Sequence, residues 1–485
     1  MNLPALPKLV VSAKPQARHL LVLLPAGKAL PADLPARDFW QALLKRKEMK
    51  PDELAKTPLA ADLPDGTQVQ RVALAMADPE KTRFERLTAL RKAAQLLLDE
   101  SPATLAIVPL DGAAAALDDA LYVALVNGVP LPQQKKKAAK PLKEILVPRR
   151  PPGADFALAL ARANLLAREL TALPPNLLDP AHYRRRLRAL AKEGKFAIEE
   201  FDFRKLKKMG AGAFCAVAQG SDDAGGGAAI VRLSWRPQRK AAQTVALVGK
   251  GICYDTGGHN LKPAKYMAGM HEDMNGSAVA LSILCAAAEL RLPVAIDCWL
   301  AIAKNHLSPT AYAQGDIVKA LDGTTIEVVH TDAEGRMVLA DTLALAARQK
   351  PGLLIDFATL TGSMTYALGT RYSGVFASTD ELAAQAVAAG RASGERVCVF
   401  PQDADYESAL DSKVADIKQC TLDGEADHIL ATRFLGRFVG KLPWLHMDLS
   451  AASCSGGLGA VASDQTGFGV AWGIALLGDW AGGKH

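Results

Sequence analysis

Three side chains able to hold or polarise charge stand two residues apart in the stretch 330–336: Asp332, Glu334 and Arg336. The stretch follows a strand-like run at 325–329. In an extended segment alternate residues share one face, so the three groups are expected to converge at a strand's C-terminal end. An Asp, a Glu and an Arg on one face make a poor core and a good cradle for hard cations, which prefer oxygen donors. A second patch at 249–258 adds Lys250 and Asp255, Lys262 follows seven residues after that Asp, and Asp273 comes next. Carboxylates able to bridge two cations, without a His-Glu-x-x-His spacing, point to metal-assisted hydrolysis. Lys250, Lys262 and Arg336 complete a site that is otherwise strongly negative.

Elements must carry these patches. Apolar runs at 20–24 and 104–108 read as strands, and 82–100 as a helix with Phe84, Leu87, Leu90, Ala93, Leu96 and Leu97 on a helical period. Proline and charge crowd 130–141 and 148–153 and mark a boundary. The expected organisation is an N-terminal α/β domain over 1–130, a linker over 131–155 and a catalytic domain over 156–485. In the last, strand then helix recurs: 244–248 before 277–290, then 294–303, 326–329 before 337–348, and 353–357 before a loop at 359–363. The predicted fold is α/β, with two domains: a smaller N-terminal α/β domain, and a catalytic domain whose mixed central sheet is covered by helices on both faces. Sites in such sheets lie beyond the carboxyl ends of the strands, where both patches are expected.

At 485 residues the chain exceeds what one core usually serves, which agrees with two domains. The seven cysteines have no CxxC spacing and read as reduced thiols rather than a disulfide framework or zinc ribbon. Cys253, near Asp255, reads as a small buried hydrophobe. No export signal and no long apolar span is visible, so a cytoplasmic location and no membrane contact are expected. The net charge of +6 permits nucleic-acid contact without arguing for it.

The ordered segments resemble the signature regions of the leucyl aminopeptidase family, the cytosolic two-metal leucine aminopeptidases. The resemblance runs from about 155 to 480 through 167–170 and 174–178, 210–221, the patch at 249–262, Asp273-Met274, 330–336, 356–362, 414–418, 444–448 and 466–470. It implies an aminopeptidase that removes leucine and similar apolar N-terminal residues from short peptides. It further implies two divalent metal ions per subunit, Mn²⁺ or Zn²⁺ foremost, bridged by Asp255 and Glu334, with Lys250 and Asp273 at the tighter site and Asp332 at the other. Lys250 would have to ligate as a neutral amine, which from its ordinary pKa costs about 4–5 kcal/mol at pH 7. By the same resemblance a water bridging the metals is the nucleophile, Lys262 donates to the oxyanion, and Arg336 holds a bicarbonate as general base. Met270, Thr359, Leu360 and Gly362 would line the substrate pocket, and the assembly would be a homohexamer.

Several positions depart from the family pattern. His330 stands in place of an asparagine, Thr256 of a serine, His259-Asn260 of a small apolar pair and Asn275 of a glycine, and 421–428 replaces a glycine-rich stretch. No expected ligand is removed, so the departures bear on substrate preference. His330 is expected to add a titration near the ordinary histidine range. The competing readings are DNA binding as a second activity, resting on 135–140 and Arg184 to Arg188, and a two-metal phosphoesterase, which lacks support from any Walker-type loop.

Overall fold

A computed structural model of the chain describes residues 3–222, 227–238 and 243–481, so the last four residues of the expected catalytic domain lie outside the described residues. Within them the strands form sheets of six, eight and three. The eight-stranded sheet has at its centre four parallel strands, Trp444–Asp448, Leu353–Ala358, Thr244–Asp255 and Ala295–Asn305. Antiparallel Ala229–Trp235 and Ser373–Ala377 flank them, making the sheet mixed, as expected.

Strand periodicity divides the central side chains between two cores. Val245, Leu247, Leu353, Ile355 and Phe357 join one cluster with Ala278 and Leu281 of helix Asn275–Glu289, Leu166 of Ala154–Ala172 and Trp472 of Val470–Ala481. Their neighbours Ala246, Val248, Leu354 and Ala358 point the other way, onto Met337 and Leu343 of Glu334–Ala347, Phe214 and Phe434. Helices therefore cover both faces, and the strands read as nearly continuous apolar runs because both faces are dry. Two glycines let helix Asn275–Glu289 start in contact with the sheet. A Cβ on Gly276 would lie 2.1 Å from the Phe357 carbonyl oxygen, and one on Gly249 2.4 Å from Ser277 Cα.

The six-stranded sheet orders Lys8–Val11, Glu144–Val147, Thr104–Pro109, His19–Pro25, Gln68–Ala77 and Leu59–Asp65, all parallel except the last pair. The helix expected over 82–100 is Arg83–Leu98, started by Thr82 and Glu85 in a reciprocal cap. Two expectations need correction. The stretch expected as a linker supplies Glu144–Val147 to this sheet, because it pairs on both edges with Thr104–Pro109 and Lys8–Val11. The run at 325–329 forms only the short strand Thr325–Glu327, in the three-stranded sheet with Ile317–Lys319 and Ile417–Lys418 and not in the central one. No helix among the described residues is long and apolar enough to cross a membrane.

A charged pair is sealed between two central strands. Asp356 and His446 are fully buried, with Asp356 Oδ1 2.6 Å from His446 Nδ1, and Trp444 Nε1 donates to Asp356 Oδ2 at 2.6 Å. Burial disfavours the imidazolium, but Asp356 outweighs it and raises the His446 pKa. A folded pKa above the unfolded value means stability fully present below the ordinary histidine pKa and lost as pH rises through the raised one. Replacing Asp356→Asn strands the imidazolium and is predicted to cost about 3–5 kcal/mol near pH 6 and less near pH 9, measured by urea unfolding at both.

Candidate active site

Strand Thr244–Asp255 carries Lys250 and, at its carboxyl end, Asp255. Asp273 sits in the turn Met270–Met274, delivered beside the strand by the close start of the helix that follows. Asp332 lies in a turn, while Glu334 and Arg336 occupy the first turn of helix Glu334–Ala347. The extended-face reasoning therefore does not explain their convergence: a helix start, not a strand end, aims Glu334 inward. There the carboxylate also meets the positive end of the helix dipole.

Ligand atoms of Asp255, Asp273 and Glu334, all buried, lie within 4.8 Å of one another. Asp332 joins this group through Lys262. Lys262 Nζ contacts Asp255 Oδ2 at 3.0 Å and Asp332 Oδ1 at 2.6 Å, and Lys250 Nζ contacts Asp273 Oδ2 and Glu334 Oε1, each at 2.8 Å. Each ammonium is thus shared by two carboxylates. Glu334 Oε2 is buried with no hydrogen-bond partner, and Asp273 Oδ2 and Asp332 Oδ1 meet their lysines without hydrogen-bond geometry. Burial, then mutual repulsion, raises the pKa of Asp273, Asp332 and Glu334 despite the lysines. Burial opposes the Lys250 and Lys262 ammoniums, yet the carboxylates hold both pKa values above the ordinary range. Buried, under-satisfied oxygen donors that repel one another fit hard divalent cations. Gly335 leaves the room this needs, since a Cβ there would lie 2.7 Å from Lys250 Nζ.

The site opens into a cavity of about 790 Å³ lined by these residues and by Met270, Thr359, Leu360, Gly362, His330, Arg336 and Asp427. The sequence-predicted residues are all brought to it. Thr359 plays a part that sequence reasoning did not assign, because its hydroxyl donates to Asp273 Oδ1 at 2.7 Å and its carbonyl accepts from Lys250 at 3.1 Å.

Supporting residues were not foreseen either. Asn305 Nδ2 donates to Asp255 Oδ1 at 2.8 Å and to the Thr331 carbonyl at 3.0 Å, joining the two patches. Asp448 accepts from Leu360 N–H at 3.0 Å and the Thr361 hydroxyl at 2.7 Å, holding the pocket wall. Gln419 accepts from Val329 N–H at 2.7 Å and its carbonyl accepts from Arg336 at 2.9 Å. Asp448 and Gln419 lay in or beside segments that carry the resemblance, but no spacing tied them to the site.

The departures sort by contact. Asn260 exchanges hydrogen bonds with Thr331, Thr256 accepts from Gly258 and Leu307 N–H groups, and Asn275 donates to the Thr171 hydroxyl, so these three brace the fold, with Asn260 also on the cavity wall. His330 and residues of 421–428 face the cavity. Burial and then Lys262 move the His330 pKa below its ordinary value, and its Nδ1 accepts from Asp332 N–H at 3.2 Å. Arg336 is buried and its guanidinium is bound to Asp427 Oδ1 at 2.8 Å, so a carboxylate of the chain itself already stands on the group expected to hold a bicarbonate. Cys253 is buried with its thiol pKa raised by burial, and its Sγ lies 3.7 Å from the Gly251 carbonyl oxygen, as suits a small buried hydrophobe.

The profile of the cytosol aminopeptidase family, catalytic domain, matches residues 165–473. The chain is 42% identical over 303 residues to a probable cytosol aminopeptidase of Stutzerimonas stutzeri (strain A1501), covering 62% of this chain and 60% of that protein. It is 40% identical over 321 residues to the probable cytosol aminopeptidase of Afipia carboxidovorans, covering 66% and 62%. The match thus spans about three-fifths of the length of these relatives. Among solved structures, the bottromycin maturation enzyme BotP in complex with Mn is similar at a TM-score of 0.84 and 30% identity, covering 96% of this chain and all of that one.

Because Asn305 fixes the orientation of Asp255 without being a candidate ligand, Asn305→Ala is predicted to weaken Mn²⁺ binding by about 10–100-fold. Calorimetric titration of the metal-stripped protein measures this, and an unchanged affinity refutes the bracing role.

Proposed function

Because the chain belongs to the cytosol aminopeptidase family, we propose that it is a metal-dependent aminopeptidase that removes leucine and similar apolar residues from the N-termini of short peptides. The observation that carries this reading is the buried Asp255–Asp273–Glu334 cluster at the floor of an open cavity. We assign Asp255, Asp273, Asp332, Glu334 and Lys250 to two divalent cations, Mn²⁺ or Zn²⁺. Bound there, such cations would polarise the scissile carbonyl and lower the pKa of a water.

The chain's own residues do the rest. Lys262, braced between Asp255 and Asp332, is the donor aimed at the developing oxyanion. Met270, Leu360, Thr359 and Gly362 form the wall against which the first side chain packs, and Asp448 keeps that wall in place. Apolar contacts of this kind favour leucine by excluding water rather than by reading a polar group. Arg336 contributes a buried positive charge. We assign no step to bicarbonate, because Asp427 already holds that guanidinium.

We further propose a cytoplasmic location, in keeping with the relatives' description as cytosol aminopeptidases, and a homohexamer, which rests on the family resemblance alone. A DNA role gains less, because Arg184 and Arg188 both pair with Glu200, which neutralises part of the basic cluster.

Release of p-nitroaniline from leucine p-nitroanilide tests the proposal in metal-stripped enzyme, in enzyme with Mn²⁺ or Zn²⁺ restored, and in an Asp332→Ala/Glu334→Ala variant. Activity should require metal and vanish in the variant. Lys262→Ala should lower kcat by about 10²–10³-fold. Failure of the wild type with every metal and N-terminal residue refutes the reading.

A further inference from the structure

The segment 421–428 delivers a charge into the cavity. Asp427 opens helix Asp427–Val439, approached through Gly424 and Ala426, both left-handed at φ 69° and 49°. Its Oδ1 accepts from Arg336 at 2.8 Å, and its place at the helix N-terminus further favours the carboxylate. Arg336 is buried, a second guanidinium nitrogen donates to the Gln419 carbonyl at 2.9 Å, and its Nε–H is buried without a partner. A guanidinium so placed requires an anion beside it.

We infer that Asp427 is the built-in anion of this cavity: its carboxylate takes, on Arg336, the place of a dissociable bicarbonate, and the site is complete without one. Only the kinetic consequence rests on the aminopeptidase reading. Charge supports the inference, because a second monoanion on Arg336 would share one guanidinium with the Asp427 carboxylate and be repelled by it. Tethering supports it too, since a carboxylate held by the chain acts at an effective concentration that a free anion does not match. The Nε–H that remains can be satisfied by a water without adding charge. Asp427 is in these terms a positioning residue, which sets the charge and orientation of Arg336 toward the cavity.

The test compares full-length, metal-loaded wild type with Asp427→Gly and Asp427→Asn across a bicarbonate series at fixed pH and ionic strength. Thermal unfolding and leucine p-nitroanilide turnover are read in parallel. Wild type should show no shift in Tm and no change in rate. Asp427→Gly, which opens the space, should lose at least about tenfold in rate without bicarbonate, then regain most of it as bicarbonate raises its Tm. Asp427→Asn fills the space without the charge and should lose rate with no rescue. The inference is overturned if wild type responds to bicarbonate as strongly as Asp427→Gly, or if either variant is fully active in carbonate-free buffer. If Asp427→Gly does not fold, an active Asp427→Asn overturns it and an inactive, unrescued one supports it. Absence of activity in every form refutes the aminopeptidase reading instead, and the Tm series alone then decides the anion site.

Discussion

Carboxylates crowded together on the buried floor of a cavity are the constraint on which this molecule turns. Asp255, Asp273 and Glu334 bring ligand atoms within 4.8 Å of one another where burial weakens solvent screening. Burial and repulsion both act against their charged forms, so positive charge must be supplied. Lys250 and Lys262 supply it here, each shared by two carboxylates. Divalent cations would meet the same need with more charge and more coordination sites. The cluster is therefore costly as a structural feature and well suited to holding metal.

Holding those groups together is the work of the central sheet. Both its faces are sealed by helices, which fixes the register of Thr244–Asp255 and hence of Lys250 and Asp255. Glycine at 249 and 276 lets a helix start against that strand, and the turn before it presents Asp273. Polar brackets then join elements remote in sequence: Asn305 ties Asp255 to Thr331, Thr359 ties Asp273 to the strand Leu353–Ala358, and Asp448 ties down the pocket wall. Below them the buried Asp356–His446 pair joins two strands on the face that packs helix Asp427–Val439.

Substrate recognition falls to what faces the cavity and is not consumed by bracing. Thr256, Asn260 and Asn275 differ from the family pattern yet are engaged in the fold. His330, Leu422 and Asp427 face the cavity and differ in size or charge from what the resemblance leads one to expect. The cavity of this chain is thus individual at its rim and on Arg336, while the carboxylate floor follows the pattern.

Read alone, the sequence determined the α/β class, the mixed sheet, the family, and the carboxylates and lysines that the fold brings together, because ligand chemistry demands particular residue types and apolar periodicity reports burial directly. It misread how the 330–336 stretch is shaped: a two-residue spacing is compatible with a strand end, but Glu334 and Arg336 stand on a helix start. It also read 131–155 as linker, although Glu144–Val147 completes a sheet whose partner strands are about 40 and 136 residues away in the chain. Only the tertiary structure decided that Asn305 and Asp448 orient the site, that burial and Lys262 lower the pKa of His330 and that Asp427 reaches Arg336, 91 residues distant in the chain. The physical reason is the same in each case. Hydrogen bonds and ion pairs between remote segments leave no period in the sequence, and pKa values depend on burial and neighbouring charge that only the folded chain creates.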